Sequence, residues 1–346
     1  MCGGDRHLSR LRVGCQRAKR IANDAICRRG CELERRQIII DTDPGQDDAF
    51  ALLMALGAPE ALEVLGVSAV AGNIPLVLTQ RNTRQLLELA GRPDIPVFAG
   101  CPRPMLRPLM TAEYVHGPSG LDGSDLPEPR MPLQDEHAVD WMVRTLMQAP
   151  EGSITVCTLG PMTNLAMAMV MEPRIVPRLR EVVLMGGGFF EGGNTTPAAE
   201  FNIHVDPHAA HVVFTSGAPV TMLPIDCTYK ARLTPDWMAR LKTLGTNSAL
   251  QAWGMAAFYQ RFGNTKFATD DYPLHDPCVI GYLLDPALFA GRRCHVQIEI
   301  TSPVTMGMTV VDWWGVTKQP ANCLVLRDMD SPAFYERMLA CLARLP

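Results

Sequence analysis

The segment Ile38-Ile39-Ile40-Asp41-Thr42-Asp43-Pro44-Gly45-Gln46-Asp47-Asp48-Ala49 constrains this chain more than any other. Three β-branched apolar residues run into four carboxylates within eight positions, and an apolar run from Phe50 to Leu56 follows. The pattern predicts a buried strand ending at Asp41, a Pro-Gly turn, and a helix starting near Asp47. Four acids at one strand end repel one another by roughly a few kcal/mol when partly buried. A helix dipole welcomes Asp47 and Asp48, but it does nothing for Asp41 and Asp43 on the strand side. A cation must offset that charge, and an oxygen-only ligand set favours Ca²⁺ or Mg²⁺ over zinc or iron.

Strand and helix signals then alternate. Strands are expected at Leu62 to Ala71, Ile95 to Phe98, Ser153 to Thr158, Glu181 to Met185 and Val220 to Leu223. Helices are expected from Pro75 through Leu89, and over Glu136 to Gln148, Thr163 to Met171 and His208 to Thr215. Thr234 to Leu284 reads as mostly helical, broken by a polar loop from Gly263 to Tyr272. The tail offers strands near His295 to Ile300 and Cys323 to Leu326, then a helix from Ser331 to Leu342. This alternation predicts an α/β fold, a single large domain with a mostly parallel open sheet flanked by helices. Ligands of such sheets bind beyond the carboxyl ends of the strands. The acid cluster, Asn73, Leu159 and Met185 with its three following glycines all fall at or just past a predicted strand end. The loop from Gly100 to Gln134 is long enough to suggest function.

A chain of 346 residues can bury a large core. Residues 1–36 differ from the rest: Arg-rich, with four cysteines and no sustained apolar period, they read as a disordered extension or a start codon assigned too far upstream, with a transit-like or regulatory arm as the alternative. The catalytic domain is expected over 37–346. A net charge of −4 with scattered basic residues gives no nucleic-acid footprint. No apolar run approaches the roughly 18 residues of a membrane span. Eleven cysteines without C-x-x-C pairs, and no secretory signal, point to reduced thiols and a cytoplasmic protein.

Two motifs fail against the acid run. Counting from Asp41, an EF-hand loop needs Gly and Glu where Gln46 and Leu52 stand. A haloacid-dehalogenase-type D-x-D-x-[TV] motif meets Gly45 at its last position. The run does resemble the D-x-D-P-G-x-D-D signature of the inosine-uridine nucleoside hydrolase family, with Gln46 in the motif's free position. Further matches follow in the family's order: Thr158-Leu159-Gly160-Pro161-Met162-Thr163-Asn164, the stretch from Gly193 to Asn202, and Leu274-His275-Asp276-Pro277. Val115-His116-Gly117 and Thr196 to Asn202 are most similar to the bacterial pyrimidine-preferring members.

The resemblance implies Ca²⁺ held by Asp43, Asp48, the Leu159 carbonyl and Asp276. It implies ribose binding by Asn73, Asn194, Glu200 and Asn202, with Asp47 and Met185 beside them. Asp43 would deprotonate a water activated at the cation, and His275 would protonate the leaving base. His116 would line the pocket. The implied reaction is Ca²⁺-dependent hydrolysis of the N-glycosidic bond of ribonucleosides, giving ribose and free base. Uridine and cytidine are expected ahead of inosine, with a purine or broad-specificity enzyme as the alternative. The implied partner is a small-molecule ribonucleoside, with no nucleic acid and no membrane, in a homodimer or homotetramer.

Plainer readings exist for single residues. Asp276 could cap a helix before Pro277, and His275 could be a buried histidine satisfied by a neighbour. Phe189, Tyr259, Phe262 and Tyr272 are candidates to stack on the base, or simply to pack. Gly263 to Tyr272 is a candidate lid, and Trp313-Trp314 reads as packing. Two other functions compete: a Mg²⁺-dependent phosphohydrolase using Asp41 and Asp43, which needs a basic phosphate clamp, and a nucleoside-binding protein without catalysis.

Overall fold

The computed structural model describes residues 35–267 and 272–346, with the backbone alone for 262–267. The expected extension therefore lies outside the described residues as far as position 34. Its boundary moves by one residue. Arg36 already belongs to the first strand, where its Nε donates to Thr155 Oγ1 at 3.0 Å and its guanidinium pairs with Glu181.

Strand β1 (Arg36–Thr42) is the pivot of an eight-stranded sheet. Around it lie β2 (Leu62–Ala69), β3 (Val97–Ala99), β4 (Ile154–Thr158), β5 (Leu179–Met185) and β6 (Val220–Leu223). β7 (Phe289–Cys294) and β10 (Cys323–Met329) complete the sheet in the order β3-β2-β1-β4-β5-β6-β10-β7. Every pairing is parallel except β10 with β7. Strand order turns back between β1 and β4, where Asp41 registers with Thr158. Such a reversal opens a crevice at the carboxyl ends of the strands.

Alternation along β1 sends side chains to both faces. Ile38 and Ile40 join one apolar cluster and Ile39 the other, all three without solvent exposure. Helix α1 (Gln46–Leu56) follows directly, and all of its residues are buried, as a helix apolar on every side must be. Burial of Phe50, Leu52, Leu53 and Met54 contributes about 1.5–3 kcal/mol each. The start of α1, and with it Asp47 and Asp48, is thereby pinned.

Helices α2 (Leu76–Leu89), α3 (Glu113–His116), α4 (Ala138–Gln148) and α5 (Thr163–Met171) follow. Next come α6 (Phe201–Val205), α7 (Pro207–Thr215), α8 (Ile225–Thr228), α9 (Pro235–Thr243) and α10 (Asn247–Phe267). Helices α11 (Pro277–Leu284) and α12 (Ser331–Leu342) close the chain. No helix among the described residues is long and apolar enough to cross a membrane. The seven cysteines of the described residues are unpaired thiols.

Two expectations are corrected. The strand signal near His295 to Ile300 is β8 (Val296–Ile298), which pairs with β9 (Thr309–Val311) in a separate two-stranded sheet rather than joining the main one, and β7 is a strand that the sequence pattern does not mark. β7 escaped notice because it is an edge strand whose middle residues, Ala290 to Arg293, are exposed, which erases the apolar signature. The second concerns the candidate lid. Helix α10 runs on to Phe267, so its first part is helical rather than loop. A lone glycine costs a helix only about 1 kcal/mol against alanine, too little for Gly263 to end it. The rest of that lid, 268–271, and the Phe262 side chain lie outside the described residues.

Candidate active site

The acid run splits into two groups once folded. Asp41 faces the sheet interior, accepting from Ser68 Oγ at 2.6 Å and Asn164 Nδ2 at 2.8 Å. It takes no part in the acid group at the helix start, and the charge at that helix start is left to Asp43, Asp47 and Asp48. Asp47 and Asp48 at the start of α1 meet Asp276, whose helix α11 comes from far down the chain. Carboxylate oxygens of these three lie within 4.8 Å of one another. Asp276 precedes α11 but makes no side-chain capping bond, so the plain capping role is not what holds it there.

Asp43 sits against the same group. Its Oδ2 accepts from the Asn73 backbone N–H at 2.7 Å. A Cβ at Gly72 or Gly160 would overlap its carboxylate, so glycine at both positions is a requirement of space. Asp48 accepts from Thr42 Oγ1 at 2.5 Å, Gly45 N at 3.0 Å and Asn73 Nδ2 at 3.1 Å. These bonds fix the oxygens without neutralising them.

Burial pushes the carboxyls upward. Asp47 is raised to about 7 by desolvation and then by the charge of Asp48. Asp43 and Asp276 are held well above the ordinary carboxylate range, by desolvation first and neighbouring acids next. Asp48 is raised by desolvation as well. Among the described residues no lysine or arginine pairs with any of the four. Asp43 Oδ1 and Asp47 Oδ1 are buried without a hydrogen-bond partner. Buried orphan acceptors of this kind call for a proton or a cation. The residues present fit a hard divalent ion.

The cavity above this floor is lined by Asp47, Asp276, Asn73, His116, Leu159, Met185, Asn194, Glu200, Asn202 and His275. Ten of the twelve residues singled out in the sequence thus line one cavity; Asp43 and Asp48 are buried and do not line it. Glu200 caps α6, accepting from Asn202 N at 3.0 Å and, through its other oxygen, from Gly187 N at 2.9 Å. Burial pushes it up to about 7. Asn202 Nδ2 donates to the Leu159 carbonyl at 2.6 Å and the Met185 carbonyl at 3.2 Å, joining the ends of β4 and β5. Asn194 Oδ1 accepts from Phe201 N at 2.9 Å.

His275 is buried, and its Nδ1 lies 2.7 Å from Thr228 Oγ1 at the end of α8. Tyr259 and Tyr272 line the cavity, but so do Tyr114 and Tyr229, which the sequence reading passed over. Tyr259 stacks on His116 with centroids 5.6 Å apart and reaches Asp47 Oδ2 at 3.4 Å. Phe189 does not line the cavity; it packs on Phe190 and Trp313. Trp313 does pack, but Trp314 is 73% exposed, contrary to its reading as packing.

Thr228, Tyr229 and Asp226 are functional candidates that no motif marked. Asp226 accepts from the backbone of Phe189, Phe190 and Glu191 and so holds the loop that leads to Asn194. The Ile225-Asp226-Cys227-Thr228 stretch just after β6 was the available signal, being polar residues at a strand end. No lysine or arginine stands among the described residues lining the cavity, and Asp41 faces away, so the Asp41/Asp43 phosphohydrolase reading finds no phosphate clamp.

Comparison with known proteins bears on the same region. The family model for inosine-uridine preferring nucleoside hydrolase matches residues 38–336. The pyrimidine-specific ribonucleoside hydrolase RihA of Photobacterium profundum is 41% identical over 309 residues, 89% of this chain and 99% of the relative. The inosine-uridine preferring nucleoside hydrolase of Crithidia fasciculata is 39% identical over 311 residues, 90% of this chain and 98% of the relative. Among solved structures, the plant nucleoside hydrolase PpNRh1 superposes with a TM-score of 0.82 at 30% identity, covering 89% of this chain and 99% of its own.

Proposed function

The chain belongs to the inosine-uridine preferring nucleoside hydrolase family and is a ribonucleoside N-glycosyl hydrolase, and from that premise we propose that it is Ca²⁺-dependent and favours uridine and cytidine. One observation carries the metal reading: carboxylates of Asp47, Asp48 and Asp276 within 4.8 Å of one another, beside buried oxygens of Asp43 and Asp47 that nothing satisfies. The pyrimidine preference is supported by the likeness to RihA, described as pyrimidine-specific. The Crithidia fasciculata relative, described as inosine-uridine preferring, supports the broader alternative.

In this reading Asp43, Asp48, Asp276 and the Leu159 carbonyl hold the ion. When bound it supplies Lewis-acid activation of the attacking water and offsets the carboxylate charge. Asp43 takes the proton from that water. Glu200, Asn73, Asn194 and Asn202 bind ribose hydroxyls, with Asp47 and Met185 completing the sugar's surroundings. Charge-assisted hydrogen bonds are about twice as strong as neutral ones, so Glu200 and Asp47 orient the ring for in-line displacement. Cleavage passes through an oxocarbenium-like state in which the sugar turns positive, and the surrounding carboxylates stabilise it. His275, oriented by Thr228, donates a proton to the departing base. Water excluded by the tyrosines around the two histidines strengthens each of these contacts.

Ribose release from a panel of uridine, cytidine and inosine, with and without a calcium chelator, tests the proposal. Chelator-sensitive release led by the pyrimidines is expected; undiminished turnover in chelator overturns the metal reading, and inosine in the lead overturns the preference. We further assign the activity to 36–346, with 1–35 an extension that adds nothing to turnover, in a cytoplasmic homodimer or homotetramer. Kinetics of a chain lacking 1–35, gel filtration and cell fractionation check these three points.

A further inference from the structure

Gln46 occupies the variable position of the acid run, yet it is wholly buried and fully engaged. Its Nε2 donates to the carbonyl oxygens of His116 at 2.8 Å and Asp122 at 3.2 Å. Both acceptors are carbonyls, which cannot donate, so the amide has one orientation and its Oε1 faces His116 Nδ1 at 2.7 Å. Oε1 cannot donate either, so the proton of that contact belongs to Nδ1. The ring is wedged in place. A Cβ at Gly45 would overlap it on one side, and Tyr259 stacks against it at an interplanar angle of 19° on another. Burial favours the neutral imidazole and pushes its pKa down to about 3. Nε2 makes no hydrogen bond within the described residues, although His116 lines the cavity.

We propose that Gln46 is a positioning residue that locks His116 as the Nδ1–H tautomer, so that the cavity offers the Nε2 lone pair as an acceptor for a donor on the substrate. This rests on the nucleosidase reading for its consequence but not for its geometry. A nucleoside carries two kinds of donor suited to it, an N–H of the base and the 5′-hydroxyl of the sugar. Truncating Gln46 frees the imidazole to exchange tautomers, and the fraction protonated at Nε2 then meets a substrate donor with another donor.

The tautomer is read directly in the ligand-free protein by long-range ¹H–¹⁵N correlation of ¹⁵N-histidine, with the His116 signal identified by its loss in His116→Phe. A proton on Nδ1 and a bare Nε2 are expected; the reverse overturns the proposal, whatever the enzyme hydrolyses. In kinetics, Gln46→Met should cost about tenfold in kcat/KM, the worth of one hydrogen bond, and nothing further in a His116→Phe background. Equal losses in both backgrounds overturn it. Uridine is then compared with 3-methyluridine, which lacks the base N–H, and 5′-deoxyuridine, which lacks the hydroxyl. One analogue should lose turnover in the unmodified enzyme but not in His116→Phe, and that one names the donor. If neither loss depends on His116, no donor meets Nε2 and the proposal fails.

Discussion

Thr228 Oγ1 lies 2.7 Å from His275 Nδ1, a contact made across 47 positions of sequence by the last residue of α8. A histidine bonded at one ring nitrogen has its other nitrogen aimed by that bond. Thr228→Val removes the partner while keeping the shape. It should lower kcat about tenfold for uridine with little change in KM, and Thr228→Ser should restore it. A p-nitrophenyl riboside, whose leaving group needs no proton, should be nearly indifferent. Equal losses on both substrates would count against His275 as the acid.

Asp43→Ala should abolish ribose release, by about 10²-fold or more, as loss of a general base does. Circular dichroism should stay close to that of the unmodified protein, because Asn73 Nδ2 still donates to the Asp43 backbone carbonyl at 3.2 Å and the sheet still holds the strand. Retention of substantial turnover would refute the assignment of Asp43.

Glycine at 72 and 160 leaves room for the Asp43 carboxylate. Gly160→Ala should therefore displace that carboxylate, with overpacking costing about 1–3 kcal/mol. The expected outcome is a lowered melting temperature together with a kcat loss approaching that of Asp43→Ala. A variant of full activity would show that the carboxylate has freedom the packing denies.

Stability of the metal-free protein should fall as pH rises. Asp41 and Glu200, neither among the proposed ligands, are pushed up to about 7 by burial, above their unfolded values near 4. Between those values the native state holds protons that the unfolded chain has released. Their contribution is therefore present at and below the unfolded pKa and is lost as pH climbs through about 7. In chelator, the melting temperature should drop between about pH 5 and about pH 7.5. Added Ca²⁺ should raise it most at the upper end, where the proposed ligands are ionised. A flat profile in chelator would contradict the burial of these carboxyls.

The strand–helix alternation from Gln37 onward, the sheet edge where the candidate site residues gather, and the acids Asp43, Asp47 and Asp48 at a helix start are legible from residue order, whereas Asp276 entered only through the family resemblance. Apolar periodicity reports which face of an element is buried, and that suffices for layers and for the strand ends where polar motifs cluster. The edge strand β7 was not legible because its exposed middle carries no such pattern.

What the sequence by itself determined is the chemistry available: a buried strand delivering carboxylates to a helix start, with an Asn, Glu and His complement in the right order. Tertiary structure alone decided who meets whom. It turned Asp41 away to Ser68 and Asn164, brought Thr228 to His275, and laid Gln46 beneath His116. The physical reason is that each of these is a hydrogen bond between elements distant in the chain. Its partner is fixed by strand order and crossover, and spacing within a single segment records neither.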